Sequence, residues 1–258
     1  MRNKSIKSFI LFWFCVLSFP ANSASIAIII DDMGNTNRDS AAFALPTEVV
    51  FSILPLKALS SAYSKKAAQQ KREVMLHMPM ESLAGKQLGP GAITSDMQSV
   101  AIRETLLSAL NSVPNAIGLN NHMGSKLTQL TQPMTTTMMF LHQHDMFFVD
   151  SRTTRYTKAE SIAVELGVLA TKRNVFLDHS VNYESIDEQF ERLIRLSLKY
   201  GFAVGIAHPY PQTVEYLKSA LPTLQTRNIR LVTVSEIIKL QLMTKAKNLD
   251  NHKLMVFE

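Results

Sequence analysis

The sequence predicts an α/β fold, a single (β/α) barrel of seven to eight parallel strands that follows an N-terminal signal peptide. Three observations predict it. Short apolar runs rich in β-branched residues alternate with amphipathic helical stretches along the chain. The runs show little polar alternation, as expected of parallel strands covered on both faces. Eight such runs follow the leader at an average spacing of roughly 29 residues, the repeat length of a β/α barrel.

The leader comes first. Arg2, Lys4 and Lys7 make a positive start, the stretch from Phe9 to Phe19 is apolar except for Ser18, and Pro20 breaks the run before Ala21-Asn22-Ser23-Ala24-Ser25. This is the layout of a secretory signal peptide, read here as residues 1–24. Cleavage after Ser23 sets Ala21 and Ser23 at the two small-residue positions; cleavage after Ala24 would set Asn22 there, a poorer fit. An uncleaved anchor is the competing reading, although an apolar core of about a dozen residues is short for a permanent span. The expectation is an exported protein of the periplasm or cell envelope with no membrane span once the leader is removed. The single cysteine, Cys15, lies inside the leader. Any metal on the mature chain must therefore be held by His, Asp and Glu.

The predicted strands are 26–30, 49–54, 74–76, 116–119, 147–149, 175–177, 203–206 and 230–234. Helical patterns fill the intervals at 57–72, 98–113, 135–144, 158–166, 185–200, 212–227 and 235–245. Thr94, Ser95 or Asp96 offers an N-cap for the second helix, and Gly201 ends the fifth. The long interval between the third and fourth strands holds Gly85, Gly89, Pro90 and Gly91 and reads as a surface excursion. No linker or compositional break divides residues 25–244, which read as one barrel domain. Residues 245–258, polar and then Leu-Met-Val-Phe, read as a C-terminal tail outside the barrel, with disorder one option for it.

Composition narrows the function. With 46% hydrophobic and 19% charged residues, the chain is an ordinary globular one. Its net charge of +6 falls to about +3 without the leader. No basic stripe is interleaved with aromatics, which argues against a nucleic-acid partner.

Chemistry gathers after the strands. The first ends in Asp31-Asp32, the third in His77 with Glu81 four residues on, and the fourth in Asn120-Asn121-His122. The fifth ends in Asp150-Ser151, the sixth in Asp178-His179 and the seventh in His208-Pro209. In a parallel barrel all these ends share one rim, so the groups converge on one pocket. Taken singly, Asp150 also fits a helix cap or turn, and His179 a packing residue. Neighbours in an extended chain face opposite ways, so one acid of the Asp31-Asp32 pair is expected to bind a cation while the other reaches over substrate as a base. With His77 and His122, one aspartate gives two nitrogens and one oxygen around a divalent ion, most simply Zn2+, with room for a water. A calcium site or a purely structural acidic turn is the alternative.

The segments 28–34 (Ile-Ile-Ile-Asp-Asp-Met-Gly), 77–81 (His-Met-Pro-Met-Glu), 120–125 (Asn-Asn-His-Met-Gly-Ser), 147–151 (Phe-Phe-Val-Asp-Ser), 175–179 (Val-Phe-Leu-Asp-His) and 205–209 (Gly-Ile-Ala-His-Pro) together resemble the divergent polysaccharide deacetylases. The resemblance runs from about Ser25 to Lys239. It implies a distorted (β/α) barrel and metal-dependent removal of acetyl groups from a carbohydrate, here a cell-envelope glycan related to peptidoglycan. By position, Asp31 matches the base, Asp32 the metal-binding aspartate, His77 the first histidine ligand and His208 the acid. Glu81 stands where ordinary members carry a second histidine, and His122 is expected to complete the shell. The arginine and Pro-Tyr-Gly of the ordinary third motif are replaced by Asn120 to Ser125, with Asn121 and Ser125 expected in the pocket alongside Asp150, Asp178 and His179. Two other readings compete: an inactive exported module that binds a glycan or partner on the same barrel, and glycoside hydrolysis by a carboxylate pair such as Asp32 and Asp150.

Overall fold

The structure, a computed structural model, describes residues 23–256, with side chains to residue 246. The predicted leader therefore lies outside the described residues, apart from Ser23 and Ala24. Nine strands are found among the described residues: β1 (Ala24–Met33), β2 (Val50–Ile53), β3 (Val74–Met80), β4 (Ala116–Met123), β5 (Phe147–Asp150), β6 (Ala170–Lys172), β7 (Val175–Phe176), β8 (Phe202–Ala207) and β9 (Ile229–Leu231). The helices are α1 (Ser60–Gln69), α2 (Ser99–Ser112), α3 (Thr131–Gln143), α4 (Ala159–Glu165), α5 (Tyr183–Tyr200), α6 (Pro211–Ala220) and α7 (Val234–Val256). All pairings are parallel, in the order β6-β5-β4-β3-β2-β1-β8-β7, with β9 beside the start of β1. This is a curled (β/α) barrel.

The ring is not closed by a ladder. β6 pairs with β5 and β7 with β8, so the chain itself steps across the gap between them. At that step Arg173 N–H donates to Asp150 O (2.9 Å) on one side, and Asn174 N–H donates to Val204 O (2.8 Å) on the other. The Arg173 guanidinium bonds the Ser151 and Arg152 carbonyls and stacks on Phe176, 3.8 Å from the ring centre.

The period-2 register of the strands separates two cores. Ile26, Ile28 and Ile30 pack outward against the helices, where α5 presents the buried stripe Ile186, Phe190, Leu193 and Ile194. That helix is capped by Asn182, whose side chain accepts from Ser185 N–H, and ended by Gly201 at φ 86°. The alternate residues Ala27, Ile29, Val50, Met75, Phe147, Val149, Val204 and Ile206 fill the barrel, and Val234, Ile237 and Ile238 around the start of α7 pack against them. Gly118 belongs to this inward set because the Phe147 ring occupies the space a side chain would need. Continuing the inward register upward by two residues reaches Ser52, His77, Asn120 and His208, and on β1 Asp31. Several candidate site residues thus form the top layer of the barrel filling.

The structure differs from expectation in four details. β6 was not anticipated. The strands bearing Asp31, His77 and Asn120 run on through those residues instead of ending before them. The sixth helix stops at Ala220, where Pro222 follows and the chain tightens into a 3-10 turn over Leu221–Arg227. Backbone helix continues along α7 to Val256, through a stretch without Gly or Pro where disorder was one option for the tail. No helix among the described residues is long and apolar enough to cross a membrane.

Candidate metal centre

Asp31 occupies the inward position that extends Ala27 and Ile29, and it is buried. Asp32 would then face outward, but its backbone is left-handed (φ 58°) and the register against β2 shifts between Ile30 and Met33. The irregularity breaks the alternation and turns both carboxylates to one imidazole. His77 Nε2 lies 3.6 Å from Asp31 Oδ2 and 3.2 Å from Asp32 Oδ1. The expectation that the two acids must diverge is therefore corrected: a non-glycine residue held in the left-handed region, a strained conformation found at functional sites, brings them together.

His122 arrives from β4, the strand beside the one that bears His77. Its Nδ1 lies 3.0 Å from Asp32 Oδ1 and 3.1 Å from His77 Nε2. Asp32, His77 and His122 thus offer one ligand atom each around a common point and form a candidate metal-binding group among the described residues. Asp32 Oδ1 is shut away from water without a hydrogen bond. An orphaned carboxylate oxygen beside two ring nitrogens is the donor set a divalent cation satisfies. Burial pushes the Asp32 carboxyl up, but the imidazoles of His122 and His77 outweigh it and hold the group well below the usual carboxylate range. Burial works to lower His77, and the neighbouring carboxylates of Asp31 and Asp32 raise it instead. Burial is what raises Asp31, against the pull of His77 and His208.

Beneath this triad sits a residue that sequence reasoning did not single out. Asn120 is fully buried. Its Nδ2 donates to Asp31 Oδ1 (2.8 Å), and its Oδ1 accepts from Ser52 Oγ (2.5 Å) and lies 2.7 Å from His77 Nδ1. Because Oδ1 can only accept, the His77 proton belongs on Nδ1, which leaves Nε2 with a lone pair toward Asp32 and His122. One amide therefore sets the imidazole tautomer and grips the second carboxylate.

Across the pocket, Asp178 is buried and accepts from His208 Nδ1 (2.9 Å), His208 N–H (2.7 Å) and Thr213 Oγ1 (2.9 Å). Burial alone would lower His208; the Asp178 carboxylate, with Asp31 and Asp32 beyond it, raises it to about 9. Asp31, His77, His122, His208 and the apolar Met123 and Phe176 line a cavity of about 280 Å3, with Asn121 and His179 also on its wall.

The other predicted pocket residues lie elsewhere. Glu81 is paired with Lys126 (2.6 Å) and accepts from Ser95 N–H (2.7 Å), contacts that depress its carboxyl to about 2. Ser125 Oγ accepts from Leu83 N–H. Asp150 is fully buried and accepts from Arg152 N–H and Thr157 Oγ1, the turn-forming role that was the alternative for it. Polarity at a strand end marked all three, but their hydrogen bonds hold loops and do not face the metal centre. Asn121 sits on the wall with its side chain spent on Ser151 N–H and Met123 O.

The chain is thus a curled parallel barrel with a two-histidine, one-aspartate cluster at its rim. The chain belongs to the divergent polysaccharide deacetylase family, whose pattern matches residues 28–238. An uncharacterized protein of Haemophilus influenzae is 35% identical over 235 residues, covering 90% of this chain and 84% of its own length. The Escherichia coli protein YibQ, likewise uncharacterized, is 35% identical over 223 residues, or 86% of this chain and 70% of its own. Among solved structures, an uncharacterized protein from Agrobacterium tumefaciens C58 superposes with a TM-score of 0.81 at 20% identity, over 85% of this chain and 91% of that one. A family 4 carbohydrate esterase from Streptomyces lividans, in complex with acetate, gives a TM-score of 0.51 at 9% identity, over 80% and 91%. These two likenesses establish the fold.

Proposed function

We propose that this protein is a zinc-dependent carbohydrate deacetylase of the cell envelope, removing an N- or O-acetyl group from an envelope glycan. The observation that carries the reading is the water-excluded Asp32 Oδ1, without a hydrogen bond and 3.0–3.2 Å from a ring nitrogen of His122 and of His77. When bound by Asp32, His77 and His122, a divalent ion supplies a Lewis acid for the acetyl carbonyl and lowers the pKa of a water molecule.

The chain's own residues do the rest. Asp31 receives the Asn120 hydrogen bond on Oδ1, so Oδ2 is the atom free to take a proton from the attacking water. His208 lines the same cavity and is kept protonated at neutral pH by Asp178, so it can donate to the departing amine or alkoxide. Met123 and Phe176 give the cavity an apolar wall on which the acetyl methyl group can rest.

The test is zinc content of the purified protein, followed by acetate release from peptidoglycan or chitin oligomers with and without chelator. Release that stops with chelator supports the enzyme. His122→Ala is expected to lose zinc and activity together, whereas Asp31→Asn keeps zinc and loses turnover. Wild-type activity in Asp31→Asn would refute the base assignment. A second reading, a glycan-binding module without turnover, draws on the resemblance, by which Asn120 to Ser125 stand where ordinary members carry an arginine and Pro-Tyr-Gly. A similar fold (TM-score 0.55, 13% identity, 84% of this chain and 68% of that one) is a mutant of a CE4 family pseudoenzyme with restored enzymatic activity. Zinc without acetate release would favour that reading.

A further inference from the structure

The metal centre does not close a blind pocket. Asp32 and His122 also line a second cavity of about 380 Å3, while Asp31, His77 and His208 line the first, so His122 stands in the wall between them. The far walls of the second cavity come from two segments that take no part in the chemistry described above: the turn 54–57 after β2, and residues 87–90 of the excursion between β3 and α2.

Both segments are held in place. Ser60 Oγ donates to Leu54 O (2.5 Å) and accepts from Lys57 N–H (2.9 Å), while Leu56, at φ 56°, donates its N–H to Ser112 Oγ. The excursion is pinned at its neck. Ile93 N–H donates to Pro79 O (2.9 Å), Glu81 N–H donates to Ile93 O (3.0 Å), and the Glu81 carboxylate bonds Ser95 N–H and Lys126. Gly91 lets the loop press on the turn: at φ 69°, a Cβ there would come within 2.8 Å of Leu56 Cδ1. A long loop pinned at its neck in this way is a natural carrier of specificity.

The lining is polar, with Asn35, Gln87 and Lys57. Lys57 is half-buried, and among the described residues it makes no ion pair. The one carboxylate lining this cavity, Asp32, lies against His77 and His122 and forms no ion pair with Lys57. A lysine in the lining of a concave site, without an ion-pair partner among the described residues, can pair with an anion brought from outside.

We propose that the second cavity is a subsite for the sugar next to the acetylated one, and that Lys57 selects a sugar carrying a carboxylate. Concavities on both sides of the metal ligands suit an internal unit of a polymer, with one sugar at the metal and its neighbour against the 87–90 wall. The inference rests on the deacetylase reading and adds the substrate class.

The experiment compares two β-1,4-linked tetrasaccharides on the purified zinc-loaded protein: one of N-acetylglucosamine alone, the other with a lactyl carboxylate on alternate sugars. In wild type, kcat/KM is expected to be about fivefold higher for the carboxylated oligomer, the scale of one partly exposed charge pair with hydrogen bonding. Lys57→Gln should bring the ratio to about one through KM, and Lys57→Glu should invert it. Gly91→Ala, which displaces the wall, should raise KM more for the tetrasaccharide than for the corresponding disaccharide. Equal ratios in wild type and Lys57→Gln would overturn the proposal. Calorimetric binding of the same two tetrasaccharides separates it from its parent reading. If no acetate is released from either, deacetylation fails. The subsite still stands if wild type binds the carboxylated oligomer more tightly and Lys57→Gln does not, and it falls if the two bind alike.

Discussion

Replacing Asn120 with leucine tests how the site is held together. The side chain is fully buried and takes part in three contacts, with Asp31, His77 and Ser52, at 2.8, 2.7 and 2.5 Å. Leucine has similar bulk and offers none of them. A hydrogen bond to a charged group is worth about 1.5–3 kcal/mol and a neutral one about 1, and the added apolar burial returns part of the loss, so the net cost is about 3 kcal/mol. The same change removes the acceptor that fixes the His77 proton on Nδ1, and loss of such outer-shell partners lowers metal affinity roughly 10- to 100-fold. Urea unfolding in the presence of chelator reads the first number, and zinc titration against a competing chelator reads the second. Ser52→Ala supplies an internal scale: it deletes one of the three contacts and should cost about 1 kcal/mol, with a smaller effect on zinc. A folded Asn120→Leu protein that binds zinc as tightly as wild type would refute the tautomer argument.

Further outcomes follow from the same geometry. His208, raised to about 9 by Asp178, stays protonated through neutral pH. Because its folded pKa lies above the unfolded value, its stabilising contribution is complete below ~6.5 and is lost as pH rises through about 9. The alkaline limb of the activity profile should sit near the upper value and move down toward ~6.5 in Asp178→Asn. Chelation should lower Tm in wild type, with about 1.4 kcal/mol regained for each tenfold rise of free zinc above its Kd, and His122→Ala should show no zinc-dependent shift. Gly118→Ala would put a methyl group 2.3 Å from a Phe147 ring carbon, and thermal unfolding should report a loss of about 1–3 kcal/mol or more. Wild-type stability in Gly118→Ala would contradict the packing described for the barrel interior.

Much of this molecule can be read from its residues, because a barrel strand buried on both faces has to be written in Val, Ile, Leu, Phe and Met. The three-residue β6 escaped because Ala170-Thr171-Lys172 has too little apolar character to stand out from a loop, although Thr171 is buried. The ligands were legible as titratable side chains after apolar runs. What holds them was not: Asn120 carries no charge, and an amide beside a histidine gives no sign of which atoms it will grip. Nor does an aspartate announce a left-handed backbone, which glycine usually signals, so the turn that brings Asp32 alongside Asp31 is visible only in the fold. Conversely, Glu81, Ser125 and Asp150 look chemical by their position and prove to be loop fasteners.

The step at Arg173-Asn174 has a mechanical consequence. A hoop bonded around its circumference except at one spot yields at that spot when something wide is pushed into its mouth. The strands β1, β3 and β4, which carry the candidate ligands Asp32, His77 and His122, lie well inside the bonded arc, whereas the chain that spans the slit is secured by a few individual hydrogen bonds and one guanidinium laid on Phe176. Strain at the barrel mouth is thus expected to be taken up at residues 170–176 before it reaches Asp32, His77 and His122.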